Sequence, residues 1–399
     1  MPALLIHGAR QVLTLRGASF PRRGSALRNL SIIEDGSILI EDGKVREVGP
    51  TRRLENLAIA RNAPRLSARG RVVMPGFVDC HMRLITAPGG QPRSLHQVPA
   101  WRLASDAAAT LKRCLRYGTT ALDVQCCEGL DETSETKVLR VLADLAREQP
   151  VDLVTTYCGA TAIPATWEDS ADAYIEYLVR ETLPKIREKN LASFVAVSCD
   201  EGKFSERQRR AIIDAAAALA LPVKIHAGSS GVGLALESNA VAIEHLEKIP
   251  ASDLGRLADS RTIAVFMPTH GFHDPGKGFG PARELIDRGA AVALASGYDR
   301  VSDPSFSMPI TIEMACRSLG MAPSEAIVAA TLNAAYAAGR GNVSGSIEPG
   351  KNADLLILET SDYRDLAYET GLNPVDITIV RGQIACQNSA SYGAAASAS

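Results

Sequence analysis

This 399-residue sequence lacks long apolar runs, C-x-x-C cysteine pairs and an excess of charge of one sign; only Cys126 and Cys127 are close neighbours. No stretch approaches the roughly eighteen uninterrupted apolar residues of a membrane-spanning helix. The first residues, MPALLIHGARQVLTLRG, lack the apolar core and small-residue cleavage site of a signal peptide. The eight cysteines are scattered, which indicates neither a disulfide framework nor a C-x-x-C zinc motif. We therefore expect a cytoplasmic protein without a membrane segment.

The charges of the chain are nearly balanced. The sequence has 43 basic and 45 acidic residues, and its formal net charge is -2. Such a balance gives no sign of a surface for nucleic acid or for a membrane. The expected partner is therefore a small molecule.

The apolar pattern changes near residue 72. Before it, short β-type runs alternate with Asp-Gly turn signals; after it, strand-like runs alternate with helical stretches rich in Ala, Leu, Glu and Arg. Eight strand-like segments follow one another: VVMPGFVDCHM, TTALDVQC, VDLVTTYCG, SFVAVSC, PVKIHAG, AVAIEHLE, TIAVFMP and AVALASGY. Eight parallel strands with intervening helices predict a closed (β/α)8 TIM barrel of about 250 residues.

The segments on either side of the barrel predict a second, smaller domain of the α/β chain. Residues 1–71 and residues 344–387 both carry short strands and Gly turns, so we expect them to pair into one β-sandwich. Residues 72–343 form the predicted barrel. Residues 388–399 are small and polar, which predicts a flexible tail.

Histidines occur where predicted barrel strands end. His81, His226 and His245 end the first, fifth and sixth strand segments, and His270 and His273 follow the seventh. The carboxyl ends of barrel strands converge on the mouth that carries the active site in this fold. Any one of these histidines can instead be a polar residue satisfied by a neighbour at a strand end, but as a set they predict a functional site.

Several motifs make the sequence resemble a known family. PGFVDCH, YGTTALDV, QPVDLVTTYCGATAIP, LPVKIHA, EHLE, TLNAAYAAGR and DYRDLAYETGLNP are similar to segments of imidazolonepropionases, the cyclic-amide hydrolases of histidine degradation in the amidohydrolase superfamily. The resemblance runs from about residue 30 to residue 387. It implies an amidohydrolase-type barrel and, by analogy, a homodimer.

The resemblance also implies a metal site, which this sequence alters. The family binds one zinc or iron ion through two histidines of the first strand, one of the fifth and an aspartate of the eighth. His81 and His226 match two of these ligands, but Arg83 and Gly297 stand at the other two positions. A guanidinium beside two imidazoles repels a divalent cation, so we predict no metal cofactor, with Arg83 in place of its charge.

Further departures fall at the same barrel mouth. The acid/base glutamate of the family falls on Ser229, a tyrosine on Glu128, a histidine on Thr161 and the arginine that binds the substrate's carboxylate on Arg93. His245 matches an active-site histidine of the family. We predict His245, His226 and His81 as catalytic residues and the following as substrate-binding residues: Arg83, Arg93, Glu128, Thr161, Ser229, His270, Tyr298 and Asp299.

Three functions remain open at this point. The first is an enzyme that acts without a metal on a small, carboxylate-bearing heterocyclic or amide substrate, anchored by Arg83. The second is a cyclic-amide hydrolase whose zinc or iron is held by His81, His226 and an unrecognised third donor. The third is a non-catalytic protein that binds a small molecule on a barrel scaffold. Arg83 can alternatively form a structural salt bridge to Glu128 or Asp299.

Overall fold

The computed structural model describes residues 3–86, 92–228, 230–276 and 278–388. The strands in these ranges are β1 Leu4–Leu13, β2 Ile32–Glu41, β3 Lys44–Pro50, β4 Arg65–Ser67, β5 Val72–Pro75, β6 Phe77–Met82, β7 Thr119–Cys126, β8 Asp152–Tyr157, β9 Phe194–Ser198, β10 Val223–His226, β11 Ala242–Glu244, β12 Ile263–Phe266, β13 Val292–Leu294, β14 Leu355–Leu358, β15 Val375–Val380 and β16 Gln383–Gln387.

The described ranges contain fourteen α-helices, most of which follow a barrel strand. They are α1 Thr51–Leu54, α2 Ala58–Arg61, α3 Ala100–Arg116, α4 Glu132–Glu148, α5 Ala171–Tyr177, α6 Leu183–Glu188, α7 Glu206–Ala218, α8 Gly231–Glu237, α9 Asp253–Asp259, α10 Pro268–His273, α11 Ala282–Asp287, α12 Met308–Ser318, α13 Pro323–Val328 and α14 Ala334–Ala337. Short 3₁₀ segments cover Gly24–Arg28, Pro92–Gln97, Gly159–Thr161, Ala165–Trp167 and Tyr363–Ala367, and π-helical turns cover Leu178–Thr182 and Ala329–Asn333.

The predicted barrel is confirmed. Strands β6 to β13 lie side by side in chain order, and each pairs in parallel with the next. The barrel closes between its first and last strands, where the backbone N–H of Arg83 donates to the carbonyl of Tyr298 at 2.7 Å and that of Gly297 donates to the carbonyl of His81 at 3.1 Å. These bonds bring the ends of β6 and β13 together at the mouth.

The small domain is a mixed sheet built from both ends of the chain, as the sequence predicted. Its strand order is β16-β15-β14-β5-β1-β2-β3, with β4 added beside β1. Strand β5, which the prediction placed in the barrel range, pairs with β1 and β14 of this sheet. Gly76 alone separates it from β6. Strand β5 ends at Pro75, since proline cannot donate to a strand ladder, and any side chain at Gly76 would collide with Thr120.

Helix α4 and strand β7 show how capping and burial stabilise the helices and strands of the barrel. Helix α4 begins where the Asp131 carboxylate accepts the backbone N–H of Ser134 at 3.0 Å, which satisfies a donor left free at a helix start. All eight residues of β7 are buried, as expected for a parallel strand covered on both faces. In the part of the chain that is described, no helix combines the length and apolar character needed to cross a membrane.

Candidate metal centre and active site

Three histidines meet at the mouth of the barrel. His81 lies in β6, His226 ends β10 and His245 follows β11. One ring nitrogen from each lies within 4.8 Å of those from the other two. The ring centroids are 5.8 Å apart for His81 and His226, 5.3 Å for His81 and His245, and 4.9 Å for His226 and His245. The backbone of His245 has a φ of +59°, a left-handed conformation that side chains seldom adopt.

The buried carboxylate of Glu244 orients this histidine cluster. Nδ1 of His81 lies 2.6 Å from Oε2 of Glu244, so the Nδ1–H donates to the carboxylate and Nε2 keeps its lone pair. The same oxygen lies 3.3 Å from Nε2 of His226, and Lys224 Nζ lies 3.6 Å from Oε1. Burial opposes ionisation of Glu244, but His81 and Lys224 outweigh it and hold the pKa of this carboxyl well below its usual range.

Two of the three imidazoles are held in the neutral state that metal ligation requires. Burial lowers the pKa of His81 to about 4, and burial together with the neighbouring histidines holds the pKa of His245 well below its usual value. Nε2 of His226 is buried and lies 3.3 Å from Oε2 of Glu244 without the geometry of a hydrogen bond. Three histidines are a common donor set for zinc, with a fourth position left open. The residues present therefore fit a divalent metal ion.

Arg83 is held by carboxylates beside the cluster. Its guanidinium forms an ion pair with Glu128, and its Nη1 lies 3.8 Å from Oδ2 of Asp299. Lys203 lies 3.6 Å from the other oxygen of Glu128. The salt bridges that the sequence left open are thus both present. They balance the charge of Arg83, so its repulsion of a nearby cation is much weaker than the sequence argument assumed.

Position 297 cannot carry an aspartate in this packing. Gly297 has a φ of +67°, and a Cβ added to it would collide with Nε2 of His270. This nitrogen lies 3.1 Å from the Gly297 carbonyl, which can only accept, so Nε2 carries the proton. The ring of His270 stacks on that of His245, with centroids 5.8 Å apart. An imidazole thus occupies the space that a ligand carboxylate would need.

Comparison with known proteins places the chain in a family. The amidohydrolase family model matches residues 72–385. The imidazolonepropionase of Chloroflexus aggregans is 37% identical over 96% of this chain and 99% of its own length, and that of a Geobacillus species is 35% identical over 96% and 98%. The chain is an imidazolonepropionase-like amidohydrolase.

Solved structures support the fold of this amidohydrolase. A triazine hydrolase variant superimposes with a TM-score of 0.77 at 16% identity, covering 97% of this chain and 95% of its own. The guanine deaminase of E. coli gives a TM-score of 0.75 at 18% identity, covering 97% and 99%. At these identities the likeness concerns the fold alone.

The prediction that this amidohydrolase has no metal cofactor was wrong. Imidazolonepropionases are metal-dependent, and the described residues bring His245 to His81 and His226 as a third donor. The sequence argument kept a third donor open but assigned His245 to catalysis, and it named salt bridges from Arg83 to Glu128 or Asp299 only as an alternative. Both ion pairs are present, and a left-handed turn at His245 accompanies the three-histidine group.

Only some of the remaining predicted site residues line the cavities at the barrel mouth. Glu128 and Asp299 line the barrel mouth with Arg83, and His270 lies beside His245. Thr161 and Tyr298 are absent from the described linings of the two mouth cavities. Ser229 and the side chain of Arg93 lie outside the described residues.

Packing explains why Thr161 and Tyr298 are turned away. The Thr161 hydroxyl donates to the carbonyl of Cys158 at 2.7 Å, which stabilises a local turn. Tyr298 packs edge-on against Phe306, with ring centroids 5.7 Å apart. Its neighbours Gly297 and Asp299 face the cavity, and consecutive residues in an extended segment point to opposite sides.

Sequence reasoning missed four polar residues of the site: Lys224, Glu244, Gln125 and Asp303. Lys224 and Glu244 carried a usable signal, since Lys224 is two residues before His226 in one strand and Glu244 directly precedes His245. Asp303 carried none, because a loop brings it to the site. It is 2% exposed, one of its oxygens lacks a hydrogen bond, and its other oxygen lies 3.2 Å from Nε2 of His273.

Proposed function

We propose that this protein is a metal-dependent hydrolase of a small cyclic amide, with zinc or iron held by His81, His226 and His245. The observation that supports the proposal is the group of three histidines, in which one ring nitrogen of each lies within 4.8 Å of those of the other two. When bound there, the ion would act as a Lewis acid that activates water and polarises an amide carbonyl. The likeness to imidazolonepropionases supports an imidazolone or a related ring as the reacting group.

Glu244 and Lys224 set the protonation and orientation of the histidine cluster. Glu244 holds the Nδ1 proton of His81, which fixes the tautomer and leaves the lone pair on Nε2. Lys224 is completely buried and contacts both Asp123 and Glu244. Burial disfavours its ammonium form, but the two carboxylates outweigh burial and raise its pKa above the usual value. Lys224 therefore keeps Glu244 ionised beneath the histidines.

His270 and Asp303 are suited to hold protons near the reacting ring. Both line a small cavity of about 160 Å³ together with His81 and His245. Oδ2 of Asp303 lies 3.7 Å from Nε2 of His270, and burial raises the pKa of this carboxyl. We propose this pair for the acid/base role for which the resemblance expects a glutamate at position 229.

We also propose that the protein is a cytoplasmic homodimer. The resemblance to imidazolonepropionases supports the dimer. All eight cysteines lie in the described ranges and have free thiols, which supports a reducing compartment. The resemblance further supports a carboxylate on the substrate, whereas the ion pairs of Arg83 argue against it.

Metal content and hydrolysis test the proposal together. Protein purified without chelators or a metal-binding tag should contain about one zinc or iron per chain by plasma mass spectrometry, and should open an imidazolone ring. His245→Ala should lower metal content and hydrolysis at least about tenfold, because it removes one of three donors.

His96→Ala is the matched control, because His96 is exposed and lies outside the cluster. It should leave both measurements unchanged. Metal-free protein that still hydrolyses the ring, or full metal content in His245→Ala, would contradict the proposed centre.

A further inference from the structure

A second, larger cavity adjoins the histidine cluster at the barrel mouth. Its volume is about 570 Å³, and it shares Arg83, Asp299 and Ser302 with the small cavity of the histidines. Most of its described wall is apolar and includes Ile85, Leu95, Leu130, Ala162, Ile163 and Val301. If the reacting ring of a substrate lies at the histidines, the rest of the substrate lies in this largely apolar cavity, which we call the chamber.

The charges around this chamber do not favour an anion. Among the described lining residues, Arg83 is accompanied by the carboxylates of Glu128, Asp299 and Glu168. Glu128 and Asp299 already contact the guanidinium, and Lys203 lies behind Glu128 at 3.6 Å. An incoming carboxylate would have to displace one of these ion pairs and would meet the charge of the other.

Among the described residues of the wall of the chamber, Gln125 offers a hydrogen-bond donor without a partner. Gln125, near the end of β7, lines it and is 2% exposed. Its Oε1 accepts from the thiol of Cys158 at 2.9 Å, whereas its Nε2 is buried and has no hydrogen bond. A buried donor left without a partner is unfavourable, because it has lost its hydrogen bonds to water. A ligand oxygen that accepts from this amide would recover that loss.

We propose that this chamber binds an uncharged, largely apolar substituent of the substrate, which carries one carbonyl or amide oxygen that accepts from Nε2 of Gln125. The identity of the reacting ring rests on the proposed function, but the preference of the chamber does not. The inference departs from the carboxylate-bearing substrate that the sequence predicted. Gln125, which the sequence analysis did not single out, then determines specificity.

A pair of ligands that differ only in charge tests this inference. Hydantoin-5-propionate and hydantoin-5-propionamide have nearly the same shape, and the ring mimics a cyclic amide. Isothermal titration calorimetry of the metal-loaded full chain should show the propionamide binding at least about tenfold more tightly than the propionate. Product formation is measured separately by mass spectrometry, so absent hydrolysis with this preference intact would count against the proposed function alone.

Variants then assign the preference to Gln125. Gln125→Leu should weaken propionamide binding about tenfold while metal content stays unchanged. Gln97→Leu is the matched control, because it makes the same change at an exposed glutamine that does not line the chamber. It should bind the propionamide as the unaltered protein does.

Two results would overturn the inference. Equal binding of the two ligands by the unaltered protein would show that the chamber does not discriminate by charge. Tighter binding of the propionate, lost in Arg93→Gln, would assign a carboxylate site to Arg93. Since the ligand comparison uses the unaltered protein, it decides the question even if Gln125→Leu fails to fold.

Discussion

Gly297 and His270 form a matched pair at the residue scale. The positive φ of Gly297 and the closeness of the His270 ring both exclude a side chain at position 297. The pair also explains how the family's ligand aspartate can be absent from this position, since the His270 ring fills its space. The space is filled by an imidazole that hydrogen-bonds to the backbone of the same glycine.

Gly297→Asp should destabilise the protein through this collision. We expect the free energy of unfolding, measured by urea titration with a chelator present, to fall by about 2 kcal/mol more than in Gly70→Asp. Gly70 is the matched control, since its φ is +73° but a Cβ added there meets nothing within 4 Å. Adding His270→Ala to Gly297→Asp should recover part of the loss. Equal destabilisation of the two glycine variants would contradict the steric explanation.

At the scale of elements, a buried acid fixes helix α4 to the barrel. Glu135 in α4 is 6% exposed, and its Oε1 accepts from the hydroxyl of Tyr157, which ends β8, at 2.8 Å. Burial is the main cause that raises the pKa of Glu135 to about 8, and the Tyr157 hydrogen bond offsets only part of it. This contact therefore joins a helix and a strand through a carboxyl that is neutral at pH 7.

Glu135 should make stability fall as pH rises. Its pKa is about 8 in the folded protein, against an ordinary value of 4.5, so between these values the folded state holds a proton that the unfolded state has released. The free energy of unfolding should decline over this window, by a few kcal/mol in all, and the decline should end above about pH 8. Glu135→Gln should remove this decline in urea titrations at several pH values.

Asp144→Asn is the control on the same helix, because the Asp144 side chain is 57% exposed. It should leave the pH profile of stability close to that of the unaltered protein. A Glu135→Gln profile parallel to that of the unaltered protein would show that Glu135 is ionised in the folded state.

At the scale of the whole molecule, the N- and C-terminal segments pair in one sheet directly beside the start of the barrel. Strand β5 lies between β1, from the N-terminal segment, and β14, from the C-terminal segment. Apolar residues of both segments form one buried cluster, which includes Ile6, Ile38, Val73, Ile357 and Ile379. The first barrel strand follows β5 after a single glycine, so the sheet also positions the start of β6 and His81.

Removing the C-terminal strands should therefore destabilise the entire protein. A chain that ends at residue 343 exposes one edge of β5 and part of the apolar cluster, so we expect mostly insoluble protein. A chain that ends at Asn388 is the control, since it keeps β14, β15 and β16. The measurement is soluble yield followed by urea unfolding. A soluble 1–343 chain that unfolds cooperatively would refute this dependence.

The sequence by itself determined the fold and the region of the site. The eight strand segments and the histidines at their ends depend on local apolar periodicity and on position within a strand, which neighbouring residues specify. Motifs such as LPVKIHA also predicted the family of the protein, and the comparisons confirmed that prediction.

Only the tertiary structure decided the electrostatics of the site. Glu128 and Asp299 approach Arg83 from different strand ends, and a loop brings Asp303 to His270. Whether Arg83 repels a metal depends on these distances, since Coulomb energy varies with separation and with burial. Residues far apart in the chain set those distances, and the order of residues along a strand does not record them.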